Sequence, residues 1–281
     1  MFLGYNTNGL AHHALEDACA LLAENGCQGV AITLDHDLLA RDPISGLWIP
    51  KIEEMRQALE RYPLRSVIET GARFILDYRA KHEPNLMNPD PDKRARRQAY
   101  YQLAIRTAAA LHSDCVSIWS GAAACEPPAT LRLRLAEELL QTLAFAREYH
   151  VRLAFEPEPG MFVGDMDEFA RLLETLGTLD SNAADELGLT LDVGHLWCMN
   201  EPLGENITRY ADRLVNIHLD DAVRGVHEHR MPGEGEIPFP EVFDALRQIN
   251  YPYGAYIELS RHSHVAPMAV QRACEYFRGL M

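Results

Sequence analysis

Short apolar runs and longer stretches of helical period alternate from one end of the chain to the other. The apolar runs lie at Phe2–Tyr5, Gly29–Leu34, Arg65–Thr70, Cys115–Ser120, Val151–Glu156, Leu187–Asp192, Leu214–Leu219 and Ala255–Leu259. Most are nearly continuous, as in Val116-Ser117-Ile118-Trp119, a pattern suited to parallel strands covered on both faces. Helical patterns fill the intervals: Ala11–Glu24, Ile52–Arg61, Asp92–Leu111, Thr130–Tyr149, Asp165–Leu176, Asn206–Asp212, Pro240–Ile249 and Ala266–Arg278. Asn25-Gly26 stops the first, Pro63 stops the second, and Pro238 and Pro240 suit the first turn of the seventh. Eight alternations of strand and helix predict an α/β fold, a closed parallel (β/α)8 barrel. A doubly wound open sheet is the alternative. It needs a glycine-rich phosphate loop after the first strand, and Asn6-Thr7-Asn8-Gly9 is not one. The segment Tyr78–Asp92 carries Pro84, Pro89 and Pro91 and no periodicity. It follows the third strand, on the side where barrel loops cover an active site, so it reads as a lid or rim, or as a long surface loop.

A length of 281 residues fits one barrel domain over 1–281. The apolar fraction of 47 % is ordinary for a globular core. Twenty-six basic residues against 41 acidic give a formal charge of −15. That charge repels phosphate backbones and anionic membranes, so neither nucleic acid nor membrane is expected as a partner. The opening Met1–Leu10 lacks a basic segment before a long apolar run, and no run of apolar residues is long enough to span a bilayer. The six cysteines are scattered without a CxxC pair. They read as reduced core thiols, which points to a cytoplasmic protein.

Candidate chemistry gathers where the late strands end. The fifth run closes in Phe155-Glu156-Pro157-Glu158, the sixth in Leu191-Asp192-Val193-Gly194-His195, the seventh in Ile217-His218-Leu219-Asp220-Asp221 and the eighth in Ile257-Glu258. A lone carboxylate at a strand end is ordinarily a cap or an ion-pair partner. Four successive strands ending this way bring Glu156, Asp192, His218 and Glu258 toward one spot at a barrel mouth. Three converging carboxylates repel one another, and one divalent cation (Mn, Mg, Co or Zn) removes the conflict.

The spacing Asp192-x-x-His195, then His218, then Gly233-Glu234-Gly235-Glu236-Ile237 ahead of a helix, then Glu258, resembles the xylose isomerase-like TIM barrel superfamily. The resemblance covers the whole barrel and is sharp from about Glu156 to Glu258. That group includes ketose 3-epimerases, hydroxypyruvate isomerases, inosose dehydratases and endonuclease IV-type DNA repair enzymes. The chain looks most similar to the sugar isomerases and epimerases. This implies Glu156 and Glu258 as acid and base on a cis-enediolate, with the metal held by Glu156, Asp192, His218 and Glu258. It also implies that His195 contacts a substrate oxygen and that Arg224 binds substrate.

Glu158, Trp119 and Glu69 sit at strand ends and are further candidate substrate contacts. Trp119 serves equally as packing in the barrel mouth. His227 and His229 follow the seventh strand, where endonuclease IV-type enzymes place extra zinc ligands. No histidine ends the third or fourth strand here, so these two read instead as substrate contacts from the loop, or as solvated side chains. The expected partner is a sugar or polyol. Isomerisation or epimerisation is the first expectation, with dehydration of a keto-inositol or oxidised sugar as its alternative. A catalytically silent metal-binding barrel comes next, and endonuclease-like DNA repair last. Barrels of this kind often form homo-oligomers, though no interface is legible in the chain.

Overall fold

The structure is a computed structural model that describes residues 1–44 and 46–281. Burial accounts for the strands. Every residue is buried in β1 (Phe2–Asn6), β2 (Gly29–Thr33), β6 (Val116–Trp119), β8 (Gly188–Asp192), β9 (Leu214–Leu219) and β12 (Gly254–Ile257). β5 (Arg65–Glu69) is exposed only at its first residue, and β7 (Leu153–Glu156) is half-buried only at its last. These eight close into a barrel in the order β1-β12-β9-β8-β7-β6-β5-β2. This is the (β/α)8 TIM barrel expected from the alternation. Four short strands pair outside it as two hairpins, β3 (Leu39–Arg41) with β4 (Trp48–Pro50) and β10 (Asp221–Val223) with β11 (Val226–Arg230).

Ten helices connect the strands among the described residues: α1 (Leu15–Glu24), α2 (Ile52–Arg61), α3 (Pro91–Leu111), α4 (Pro128–Glu148), α5 (Met166–Leu179), α6 (Ser181–Glu186), α7 (Val193–Cys198), α8 (Leu203–Arg209), α9 (Phe239–Gln248) and α10 (Ala266–Arg278). Local chemistry sets their ends. Asp90 caps α3 by accepting from Asp92 N, Pro91 fills the first turn, and His112 closes it in the left-handed region at φ 54°. The first helix starts later than its sequence pattern, at Leu15, after a separate 3-10 turn at Thr7–Leu10. The interval read as one helix over Asn206–Asp212 holds α7 and α8 instead, and α6 is an addition. No helix among the described residues is long and apolar enough to cross a membrane.

The contacts divide the chain into two compact units, Met1–Thr33 with Glu53–Val67 and Leu189–Met281, and Leu34–Ile52 with Ile68–Gly188. In the first, β1 pairs with β12 from Phe2↔Gly254 to Tyr5↔Ile257, and with β2 from Gly4↔Gly29 to Asn6↔Ala31. The Tyr256 ring fills space left by three glycines. A Cβ at Gly4, Gly29 or Gly254 would lie 2.4, 3.0 or 2.4 Å from its atoms. In the second unit, Phe155 stacks on Phe169 at 6.0 Å. The guanidinium of fully buried Arg97 donates to the carbonyls of Pro84, at 2.7 Å, and of His82. With Leu86 and Met87 buried as well, the aperiodic segment is a packed rim rather than a loose surface loop.

Candidate metal centre

The first unit gathers its ionisable groups at the C-terminal ends of β8, β9 and β12. Asp192 ends β8 and does two jobs. Its Oδ1 accepts from His195 N at 2.8 Å, capping α7. Its Oδ2 is buried without a hydrogen-bond partner. His218, next to last in β9, turns Nδ1 to Glu258 Oε2 at 2.8 Å and to Asp192 Oδ2 at 3.9 Å. Glu258 follows β12, where its backbone N donates to Leu219 O at 2.9 Å. Its other oxygen, Oε1, accepts from Asn8 Nδ2 at 2.7 Å.

A third carboxylate adjoins this group. Asp220 is buried, its Oδ1 accepts from Gly194 N at 3.1 Å, and its Oδ2 lies 2.7 Å from His229 Nδ1. The glycine is needed there, because a Cβ at 194 would stand 2.3 Å from Asp220 Oδ1. His195, His227 and His229 meet edge to face, with Nε2 of His195 and of His227 3.1 Å apart.

The charges are strongly interdependent. Burial, then the neighbouring carboxylates Asp220 and Glu258, push the Asp192 carboxyl well above its ordinary range. Burial works in the same direction on Glu258. The charge and hydrogen bond of His218, helped by His229, outweigh it and hold that carboxyl low. Burial disfavours the charged form of His229, yet Asp220 beside it lifts the imidazole to about 10. His195 is driven well below its ordinary value by burial and by the two histidines facing it.

These residues fit a divalent cation. A buried carboxylate oxygen without a partner, a neighbouring carboxylate and an imidazole nitrogen form a hard, anionic donor set, and burial together with repulsion from Asp220 and Glu258 raises Asp192. Asp192, Asp220 and His229 form a further group with ligand atoms within 4.8 Å of one another, as do His195, His227 and His229.

The other sequence-derived candidates lie elsewhere. Arg224 is exposed, with its guanidinium 3.7 Å from the centre of the Trp197 ring and donating to Asn200 Oδ1 at 3.2 Å. In the second unit, Glu69, Trp119 and Glu156 end β5, β6 and β7, and Trp119 is the register partner of Glu156. Trp119 is buried and meets His82 edge on at 5.1 Å. Glu158 is half-buried in a turn closed by Met161 N donating to its carbonyl at 3.0 Å. Sequence reasoning missed Asn8 and the structural part of Asp220. The consecutive pair Asp220-Asp221 directly after a buried strand was the available signal for the latter.

Comparison with known proteins adds a lineage. The family model for the xylose isomerase-like TIM barrel matches residues 19–280. An inosose dehydratase of Clostridium perfringens is 26 % identical over 149 residues, 47 % of this chain and 48 % of that protein. A fructoselysine 3-epimerase of Shigella flexneri is 23 % identical over 156 residues, 55 % of each chain. Matches to the curated relatives span between 27 % and 56 % of their lengths. Among solved structures, the IOLI protein with a bound zinc atom superposes with a TM-score of 0.78 at 17 % identity, over 100 % of this chain and 98 % of that one.

Proposed function

Because the chain belongs to the xylose isomerase-like TIM barrel family, we propose that it is a divalent-metal-dependent isomerase or epimerase of a sugar or sugar derivative. The donor set carries this reading. One ligand atom from each of Asp192, His218 and Glu258 lies within 4.8 Å of the others, and Glu156 is proposed as the fourth ligand. Three carboxylates and one imidazole suit Mn2+, Mg2+, Co2+ or Zn2+ and leave coordination positions open. When bound, the ion would supply Lewis-acid polarisation of a carbonyl and a neighbouring hydroxyl, making the adjoining C–H more acidic.

The protein's own groups supply the proton transfers. Glu258, ionised as a metal ligand must be, can take the proton from the carbon beside the carbonyl. The C–H electrons move into the new C=C bond and onto the carbonyl oxygen, giving an enediolate. A proton returned to the same carbon from the other side by Glu156 inverts that centre. A single carboxylate that carries the proton to the neighbouring carbon moves the carbonyl instead. His195, held neutral, can donate one N–H to a substrate oxygen. His227, His229, Glu158, Trp119, Glu69 and Arg224 are proposed as the surrounding substrate contacts.

The match to an inosose dehydratase favours one second reading, in which the same enediolate expels a β-hydroxyl. Product mass separates the two: loss of water marks a lyase and unchanged mass an isomerase. The primary test is metal content per chain by elemental mass spectrometry, followed by ketose turnover in deuterated water. About one equivalent in the wild type, lost in Asp192→Ala, is the expected result. Glu258→Gln should keep the fold and abolish deuterium wash-in. Wild-type exchange in that variant, or no metal after reconstitution, overturns the proposal.

A further inference from the structure

We propose that Asn8 is the positioning residue for Glu258, and that its amide oxygen receives a hydroxyl of the polyol substrate. The inference rests on the reading of Glu258 as metal ligand and acid/base group. Asn8 Nδ2 donates to Glu258 Oε1 at 2.7 Å. An ionised carboxylate only accepts, so this bond fixes which way the amide faces. The second oxygen of Glu258 lies against His218 Nδ1 at 2.8 Å. The carboxylate is therefore gripped at both oxygens, by groups from β9 and from the turn after β1.

The amide of Asn8 takes no part in holding that turn. Asn6 Oδ1 caps it, accepting from Asn8 N and from Thr33 Oγ1, each at 3.0 Å. Ser263 Oγ donates to Asn8 O at 3.1 Å and accepts from Ala11 N at 3.2 Å. The backbone at residue 8 is thus set by other side chains, and the amide's bond is spent on Glu258. Its Oδ1 is buried with no hydrogen-bond partner. Buried acceptors left unpaired are uncommon and costly, and a neutral hydroxyl is the donor that suits an amide oxygen beside a carboxylate. Gly9 permits the approach, since a Cβ there would lie 2.9 Å from Leu259 O and 3.0 Å from the Tyr5 ring.

The test has two readouts. Metal-free protein is titrated calorimetrically with Mn2+, and deuterium wash-in to a ketose gives kcat and KM. Asn8→Ala should raise the Mn2+ Kd roughly tenfold to a hundredfold, the range for lost outer partners of metal ligands, while kcat falls and KM rises. Asn8→Leu, which keeps the volume, should behave alike and stands in should the alanine variant misfold. Thr33→Val removes only the neighbouring bond to Asn6, so it should lower Tm and leave the Mn2+ Kd alone. Folded Asn8 variants with wild-type Kd and kcat overturn the proposal. A raised Kd and lowered kcat at constant KM keep the positioning role and overturn the hydroxyl contact. If the wild type binds Mn2+ yet exchanges no deuterium into any ketose, the isomerase reading falls alone, and the Mn2+ affinities still decide whether Asn8 positions Glu258.

Discussion

Asp221 accepts four backbone N–H groups, from Ala222, Gly233, Gly235 and Ile237, at 3.0, 2.8, 2.9 and 3.1 Å. One carboxylate thereby ties the Gly233–Ile237 turn to the end of the barrel wall. Hydrogen bonds to charged acceptors contribute about 1.5–3 kcal/mol each, and not additively. Asp221→Ala should cost about 3 kcal/mol or more, a fall in Tm of roughly 6 °C or more for a chain this long. A shift below about 1 °C by calorimetry would mean that the turn holds itself. His82 gives a pH signature. Burial first, then the nearby charges of Lys81, Arg97 and Arg73, lower its imidazole from 6.5 to about 4, against a raising bond to Gly71 O. Between these values the unfolded chain binds the proton and the folded one does not. The contribution of His82 is intact above pH 6.5 and declines as pH falls toward 4. His82→Gln should flatten the slope of Tm against pH in that window; an unchanged slope would assign it to other groups. At this scale the convergence of Asp192, His218 and Glu258 was legible, because an ionisable residue closing an apolar strand breaks a local rule. Asn8 and Asp220 were not. Their roles depend on partners 250 and 26 residues away in sequence, and the one local mark is the pair Asp220-Asp221 after a buried strand.

At the scale of elements, all eight barrel strands were readable from apolar runs, since parallel strands are buried on both faces. The two hairpins were not. Val226-His227-Glu228-His229-Arg230 is exposed or half-buried throughout, so it has no buried face to impose a pattern. Helix α7 has six residues and begins Val-Gly, too short and too poor in helix formers to show a period. It forms because Asp192 caps it and Asp220 accepts from Gly194 N. Gly194→Ala puts a Cβ 2.3 Å from the Asp220 oxygen, an overpacking that costs about 1–3 kcal/mol. In metal-free protein it should also loosen Asp220 from His229, and the imidazole should titrate below its present value of about 10. An unmoved His229 titration by NMR would show that the pair survives without the α7 anchor.

For the whole molecule, metal binding and stability are linked. An ion that binds only the folded state at a hundred times its Kd stabilises by about 2.7 kcal/mol. Mn2+ should therefore raise the Tm of chelator-treated wild type by roughly 5–10 °C and leave Asp192→Ala unmoved. Equal shifts in both would place the ion elsewhere. Finally, β1 has sheet neighbours far apart in sequence, β2 and β12, and the turn after β1 meets Glu258. During synthesis at about 5–20 residues per second, the first strand leaves the ribosome roughly ten seconds to a minute before its last neighbour exists. The grip on Glu258 cannot assemble before β12 is made. A nascent chain stalled before residue 254 lacks β12 altogether, leaving one edge of β1 open to chaperones, or to another chain, until that strand emerges.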